Sequence, residues 1–368
     1  MGTKYSNVKD KIKSAILEGY FQPHQKIGSE SDLMKQHQVS RHTVRKAIDD
    51  LVNEGWLYKK QGVGSFCADR SLNKESAIGI GKNIAVITTY FSDYIFPTII
   101  RGAEAFLSEN GYQVTIFSTN NNIDQERRCI EAVISQSFDG LIVEPTKSAL
   151  PNPNINYYLN LERMRIPYVM INAYYEELEP IHVIMDDVGG GYLQTEHLIK
   201  LGHENIIGFF KNDDIQGSKR LKGFIKAHRS AGLPVSPQNI ITYTTESKDS
   251  HPVEELRKKL QNTQRPTAIV CYNDQLALSL LDVIREMNIQ IPEQISIVGF
   301  DDSPLSMASE VKLTTIKHPK VNMGIDAAKT ILKLIEQNNE SSGKFDVVST
   351  QYKPELVVRN STGEKYIF

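Results

Sequence analysis

The sequence predicts a chain of two unequal parts, a small domain of three helices and a β-hairpin followed by a large α/β domain whose parallel sheets form two lobes. Three observations predict it. Apolar residues recur at helical spacing in three short stretches before residue 55 and then give way to two strands rich in aromatic residues. From Asn83 onward, continuous apolar runs alternate with helical stretches, the pattern of parallel strands covered on both faces. Between these regions the chain turns polar and small and loses its period, as linkers do. At 368 residues there is chain enough for two or three cores, which fits a first unit at 1–70, a linker at 71–82 and a second unit at 83–368.

In the first unit Tyr5, Val8, Ile12 and Ile16 mark one helix face, and Gly19 with Pro23 stops the pattern, so a helix is expected from about Ser6 to Glu18. Ser29, Glu30, Ser31 and Asp32 supply an N-cap and first-turn acids to a short second helix. Ser40 caps a third, in which Val44, Ala47, Ile48 and Leu51 face inward while Arg41, His42, Arg45 and Lys46 fall on other faces. Two helices joined by a tight turn, the second opening on exposed donors, make a helix-turn-helix. The runs 56–60 and 65–67, separated by Gln61, Gly62, Val63 and Gly64, read as a hairpin and supply the wing.

Seven apolar runs follow, at 84–87, 114–117, 140–143, 168–171, 206–210, 268–271 and 295–299. A division near Glu179 and Pro180 makes two similar lobes, with a crossover back near 315–340. Ligands in such sheets sit beyond the carboxyl ends of the strands, which places an effector in the cleft between the lobes.

Composition narrows the class. Charged residues are 23% and hydrophobic residues 40% of the chain, with no apolar run of transmembrane length and no secretion-signal layout at the start, so a soluble cytoplasmic protein is expected. Cys67, Cys129 and Cys271 are odd in number and in no metal-ligand spacing, and are read as buried free thiols; neither metal nor cofactor is expected. Residues 1–70 carry 12 Lys and Arg against 8 Asp and Glu, leaving the rest of the chain acidic. That excess is compatible with a surface facing phosphates.

Two resemblances sharpen the reading. Lys26-Ile-Gly-Ser-Glu-Ser-Asp-Leu, Val39-Ser-Arg-His-Thr-Val-Arg-Lys-Ala, Leu51-Val-Asn-Glu-Gly-Trp and Gly62-Val-Gly-Ser-Phe resemble the gluconate-repressor (GntR) DNA-binding family over about residues 4–68, departing from it at His24, Gly28 and Gln38, all turn positions. The remainder, through Asp186-Asp-Val-Gly-Gly-Gly, Arg220-Leu-Lys-Gly-Phe, Pro266-Thr-Ala-Ile-Val-Cys-Tyr-Asn-Asp, Ile295-Ser-Ile-Val-Gly-Phe-Asp-Asp and Leu313-Thr-Thr-Ile, resembles the effector domain of the lactose/galactose-repressor (LacI) family. That domain is itself similar to type I periplasmic sugar-binding proteins. The combination is similar to arabinose-responsive repressors. It implies a homodimer on palindromic operator DNA, released by a small sugar, L-arabinose first, with another pentose or a nucleoside as the alternative.

Arginine against guanine is the commonest base contact in the major groove, and Arg41 and Arg45, at i and i+4, share a helix face. His42 either donates to DNA or is merely exposed, and Ser40 and Thr43 lie at the same helix start. Glu30 is either a helix-dipole carboxylate or, as the resemblance implies, an acceptor for cytosine N4 or a clamp on an arginine. Gln61 and Gly62 are either a wing tip reading the minor groove or simply a good turn. The resemblance adds Lys4 and Tyr5 as phosphate contacts.

For the effector, the resemblance selects Arg220, Asn273 and Asp301 as polar ligand positions, and planar polar side chains of this kind bond adjacent sugar hydroxyls. Glu144 and Asn172 end the third and fourth apolar runs and are expected to choose the sugar; His318 is a lesser candidate, and Tyr94, with Tyr90, Phe91 and Phe96, either stacks on the sugar or packs the lobe. Asp187 and its following glycines do not match a phosphate loop, and Asp187 is read as a helix N-cap. An enzyme lacks support because there is no nucleophile elbow and no metal set. A secreted binding protein would have no use for residues 1–68.

Overall fold

The computed structural model describes residues 3–69, 82–92, 94–136, 138–339 and 347–365; the expected linker, apart from Lys82, lies outside them. The first unit is built from α1 (Lys4–Leu17), α2 (Glu30–His37), α3 (Arg41–Asn53) and the strands β1 (Leu57–Lys60) and β2 (Gly64–Cys67). Val8, Ile12 and Ile16 of α1 meet Val44, Ala47, Ile48 and Leu51 of α3 in a buried core, as their spacing requires. Ser29 caps α2 in a reciprocal box with Asp32. Gln38 ends α2 at φ 54°, taking the left-handed turn that a glycine would take more cheaply. The hairpin pairs Leu57 with Cys67 and Lys60 with Gly64.

The second unit holds two six-stranded sheets. The first contains β3 (Asn83–Thr88), β4 (Gln113–Ser118), β5 (Gly140–Val143), β6 (Tyr168–Ile171), β7 (His182–Met185) and β13 (Thr350–Tyr352), in the order β4-β3-β5-β6-β7-β13, all parallel. The second contains β8 (Ile206–Lys211), β9 (Ile240–Tyr243), β10 (Ala268–Cys271), β11 (Ser296–Asp301), β12 (Thr314–Lys317) and β14 (Glu355–Val357), in the order β9-β8-β10-β11-β12-β14, with only β14 antiparallel. Helices α4 (Phe96–Glu109), α5 (Ile123–Ser135), α6 (Ile155–Arg163) and α12 (Lys320–Asn339) cover the first sheet. Helices α7 (Asp187–Lys200), α8 (Ile215–Ser230), α9 (His251–Leu260) and α10 (Asp274–Glu286) cover the second, with the one-turn α11 (Leu305–Ala308) against α10.

Among the described residues the chain crosses between lobes three times, because β7 belongs to the first sheet, α12 returns to the first lobe, and β13 and β14 belong to different sheets. The first crossing therefore falls at Asp186, just past the expected division near 180, and the second falls between β12 and α12.

The glycine run before Tyr192 has a packing reason. A Cβ on Gly191 would lie 2.3 Å from the Arg220 carbonyl oxygen, and one on Gly223 would lie 2.3 Å from that of Val188. Glycine thus lets α7 and α8 touch backbone to backbone, which holds Arg220 against α7. The cap of α7 is Asp186, whose carboxylate accepts from the Gly189 N–H, so the expectation of Asp187 as cap is corrected by one residue. Asp187, freed from capping, turns to Arg220. Cys67, Cys129 and Cys271 are buried free thiols, and no helix among the described residues is long and apolar enough to cross a membrane.

Candidate functional site

Two separate polar constellations stand out. On the first unit, Ser40 caps α3 by accepting from the Thr43 N–H, and the two hydroxyls lie 2.9 Å apart, so the helix start is ordered before anything binds. Arg41, His42 and Arg45 project from it exposed. Glu30, at the first position of α2, accepts from Arg41 Nε at 2.9 Å and from Arg45 Nε at 2.8 Å. Glu30 thus pairs with both arginines while also standing in the first turn of α2, and the hydrogen bond from Arg45 and both positive charges hold its carboxyl below the usual range. Lys46 lies 4.1 Å over the Tyr5 ring, which ties the start of α1 to α3 and leaves Lys4 exposed beside it. The wing tip, Gln61 and Gly62, is exposed, with Gly62 at φ 73°.

The second constellation lines a cavity of about 170 Å³ between the lobes. Tyr94, Glu144, Asn172, Arg220, Asn273, Asp301 and His318, scattered over more than 220 residues of sequence, all line it. On the second-lobe side Arg220 donates to Asp187 Oδ1 at 2.8 Å and to the Tyr272 carbonyl at 2.5 Å, lies 3.8 Å from Asp301 Oδ1, and stacks 3.5 Å over the Phe300 ring. Burial opposes its charge, but Asp187 and Asp301 outweigh burial and raise its pKa. Burial likewise lifts Asp187 to about 6 against the pull of Arg220. Asn273 caps α10 through its Oδ1, which leaves its amide nitrogen for a ligand.

On the first-lobe side a chain of hydrogen bonds runs along the strand ends. Glu144 accepts from the Thr89 N–H and hydroxyl and from Asn172 Nδ2, and Asn172 Oδ1 lies 3.1 Å from His318 Nε2. Because that oxygen only accepts, Nε2 carries the imidazole proton and Nδ1 is left as a bare acceptor. Burial pushes Glu144 up to about 7 and His318 down to about 3. Tyr94 bridges the lobes, donating to Asp301 Oδ2 at 2.7 Å and accepting from the Asp274 N–H at 3.1 Å.

Several features mark this cleft as built for a ligand. His318 Nδ1, Asp301 Oδ1 and Gln216 Oε1 are buried without hydrogen-bond partners. Tyr94, Asn172 and Asp301 hold φ of 60°, 62° and 96°, strained values for side chains other than glycine, each at the cleft. Tyr90 and Phe96 also line it, whereas Phe91 is more than half exposed and does not. Sequence reasoning missed Asp187, Lys211, Asp214 and Gln216. Lys211 and Asp214 could have been found by applying to β8 the strand-end rule that found Glu144 and Asn172. A dense set of donors and acceptors around aromatic edges suits an uncharged polyhydroxylated guest.

Residues 4–67 match the model for bacterial regulatory proteins of the gntR family, and residues 195–362 match the periplasmic binding protein-like domain. The chain is 67% identical over 367 residues to the arabinose metabolism transcriptional repressor of Halalkalibacterium halodurans, covering 99% of this chain and 98% of that protein. It is 50% identical to the protein of the same name from Geobacillus stearothermophilus, covering 98% of each. Among solved structures, transcription regulator CcpA of Lactococcus lactis superposes with a TM-score of 0.66 at 21% identity, over 77% of this chain and all of that one, which speaks to the fold.

Proposed function

Because the chain belongs to the family of arabinose metabolism transcriptional repressors, a DNA-binding repressor with a sugar-binding domain, we propose that L-arabinose fills the cleft and releases this protein from the operators of sugar-utilisation genes. The observation that carries the reading is the cleft itself, where a fixed guanidinium and carboxylates on one lobe face a hydrogen-bonded carboxyl–amide–imidazole chain on the other. Arg220, Asn273 and Asp301 bond adjacent hydroxyls from the second lobe, Glu144, Asn172 and His318 select among sugars from the first, and Tyr94 senses whether the lobes are together. No step of bond making or breaking is assigned to these residues.

On DNA, Arg41 and Arg45 read base edges, His42, Ser40, Thr43, Lys4 and Tyr5 hold phosphates, Gln61 and Gly62 enter the minor groove, and Glu30 parks the two arginines until DNA takes them. A homodimer in the cytoplasm places two such heads on a palindrome. Residues 1–70 act as the reader, 71–82 as the linker and 83–368 as the sensor. The test is calorimetric titration of the full chain with L-arabinose, D-xylose, D-ribose, D-galactose and a nucleoside, paired with operator release. L-arabinose is expected to bind tightest and to release the operator; tighter binding and release by ribose or the nucleoside would overturn the assignment.

A further inference from the structure

Helix α6 of the first lobe carries a polar residue where its pattern calls for an apolar one. Asn160 lies among the buried Tyr157, Tyr158 and Leu161 and is itself 3% exposed. A buried amide needs partners, and this one finds them on the DNA-reading domain. Its Nδ2 donates to the Leu17 carbonyl at 2.6 Å, and its Oδ1 accepts from Arg163 Nη2 at 2.6 Å. Arg163 Nη1 in turn reaches the carbonyls of Gly19 at 3.3 Å and Phe21 at 3.2 Å. The Leu17 carbonyl ends α1, where carbonyls run out of helical partners and carry the negative end of the dipole, and those of Gly19 and Phe21 belong to the segment that leaves it. The last turn of α1 has no basic residue of its own. The first lobe therefore supplies the cation and the donor that this helix end lacks.

The contact is also apolar. Ile16, Trp56 and Cys67 of the reader face Ile134 and Met164 of the lobe across a small cavity of about 40 Å³, and the two sides share one hydrophobic cluster. The docked reader keeps Arg41, His42 and Arg45 exposed, so docking and DNA contact use different faces.

We propose that Asn160 and Arg163 are positioning residues for induction: they bolt the reader to the first lobe, so that displacement of that lobe is delivered to the recognition helix as a rigid body. The sugar end of the connection is short. Two residues beyond Glu144, the Thr146 N–H lies 3.4 Å from Glu126 Oε1, and Glu126 also accepts from Tyr158 of α6 at 3.0 Å and from Asn154 at 2.9 Å. Glu126, fully buried, thus fastens the cleft loop and the docking helix to the same body. The assignment of these residues to induction rests on the sugar-released repressor proposed above; the dock itself does not.

Trp56, the single tryptophan of the sequence, lies in the docking cavity and reports on it directly. The experiment compares full-length wild type, the double variant Asn160→Ala/Arg163→Ala and the isosteric Asn160→Asp, which sets a carboxylate against the helix end without changing volume. Without sugar, both variants are expected to show red-shifted Trp56 emission and at least about twofold stronger iodide quenching, while their sugar affinity by calorimetry stays within about twofold of wild type. Operator affinity without sugar is expected to change little, but the factor by which saturating L-arabinose lowers it is expected to shrink about tenfold, toward unity. Trp56 as shielded in both variants as in wild type, or release by sugar undiminished in them, contradicts the proposal. A wild type that ignores L-arabinose would instead count against the sugar assignment, and the quenching comparison would still decide the dock.

Discussion

Two arginine–carboxylate clusters in this molecule share a geometry and differ in everything that follows from solvent. Glu30 meets Arg41 and Arg45 at 2.9 and 2.8 Å with the arginine side chains 61% and 57% exposed, whereas Asp187 meets Arg220 at 2.8 Å with both side chains 6% exposed or less. The acids shift in opposite directions. Hydrogen bonding and charge hold Glu30 below its ordinary range, while burial lifts Asp187 to about 6 in spite of its partner. An exposed pair is nearly cost-free to break, so Glu30 holds the two arginines in readiness without competing seriously with DNA. A buried pair is fixed, since removing either member strands a charge away from water, and that fixity pre-orients Arg220 for a ligand.

The largest expected effect lies in the buried cluster. Arg220→Ala leaves Asp187 and Asp301 unpaired in the cleft wall and is expected to cost about 3–5 kcal/mol in denaturant unfolding, together with loss of calorimetric sugar binding. Replacing Arg41 or Arg45 by alanine is expected to leave unfolding almost unchanged and to weaken operator binding by roughly 10- to 100-fold each, with a smaller loss on random DNA. If Arg220→Ala unfolds no more easily than Arg41→Ala, the contrast between the clusters fails.

A pH experiment sharpens the buried side. The native Glu144 carboxyl titrates at about 7 against an ordinary value of 4.5. Between those values the folded chain holds a proton that the unfolded chain releases, so this group's contribution is present at low pH and is lost as pH rises to about 7. Glu144→Gln removes the titration, and its stability relative to wild type is expected to rise by on the order of 2 kcal/mol from pH 5 to pH 8, read from melting temperatures across the series. His318, held neutral in the folded chain down to about pH 3 against an ordinary value of 6.5, acts in the opposite sense, because the unfolded chain takes up its proton below 6.5 and stability rises with pH through that range; it is present in both proteins and cancels from the comparison. The smallest effect is that of Glu30→Gln, which is expected to leave melting unchanged and to raise affinity for random-sequence DNA about two- to threefold in filter binding at low salt.

Elements whose local signals agree with their tertiary role were readable from sequence. The caps Ser29 and Ser40, the inward stripe of α3 and the strands β3, β5, β6, β8, β10 and β11 follow from short-range chemistry and uninterrupted apolar runs. Strands β9, β13 and β14 are sheet edges and β7 lies next to one, where pairing rather than composition makes a strand. The cleft divides in the same way. Glu144 and Asn172 were found by the strand-end rule and Arg220, Asn273 and Asp301 by resemblance, but the pairing of Arg220 with Asp187 depends on how closely two glycines let α7 approach α8. Gln216 has no local signature, and its buried, unpartnered oxygen becomes visible only in three dimensions.

Release of operator by sugar requires an exchange of free energy between the exposed cluster and the buried one, and linkage makes that exchange reciprocal. The most direct measurement is therefore the affinity of the full-length protein for L-arabinose with and without saturating operator DNA, set beside its affinity for operator with and without saturating sugar. Each ligand is expected to weaken the other by the same factor. Sugar bound equally well by free and operator-bound protein would contradict it, however tightly either ligand binds alone.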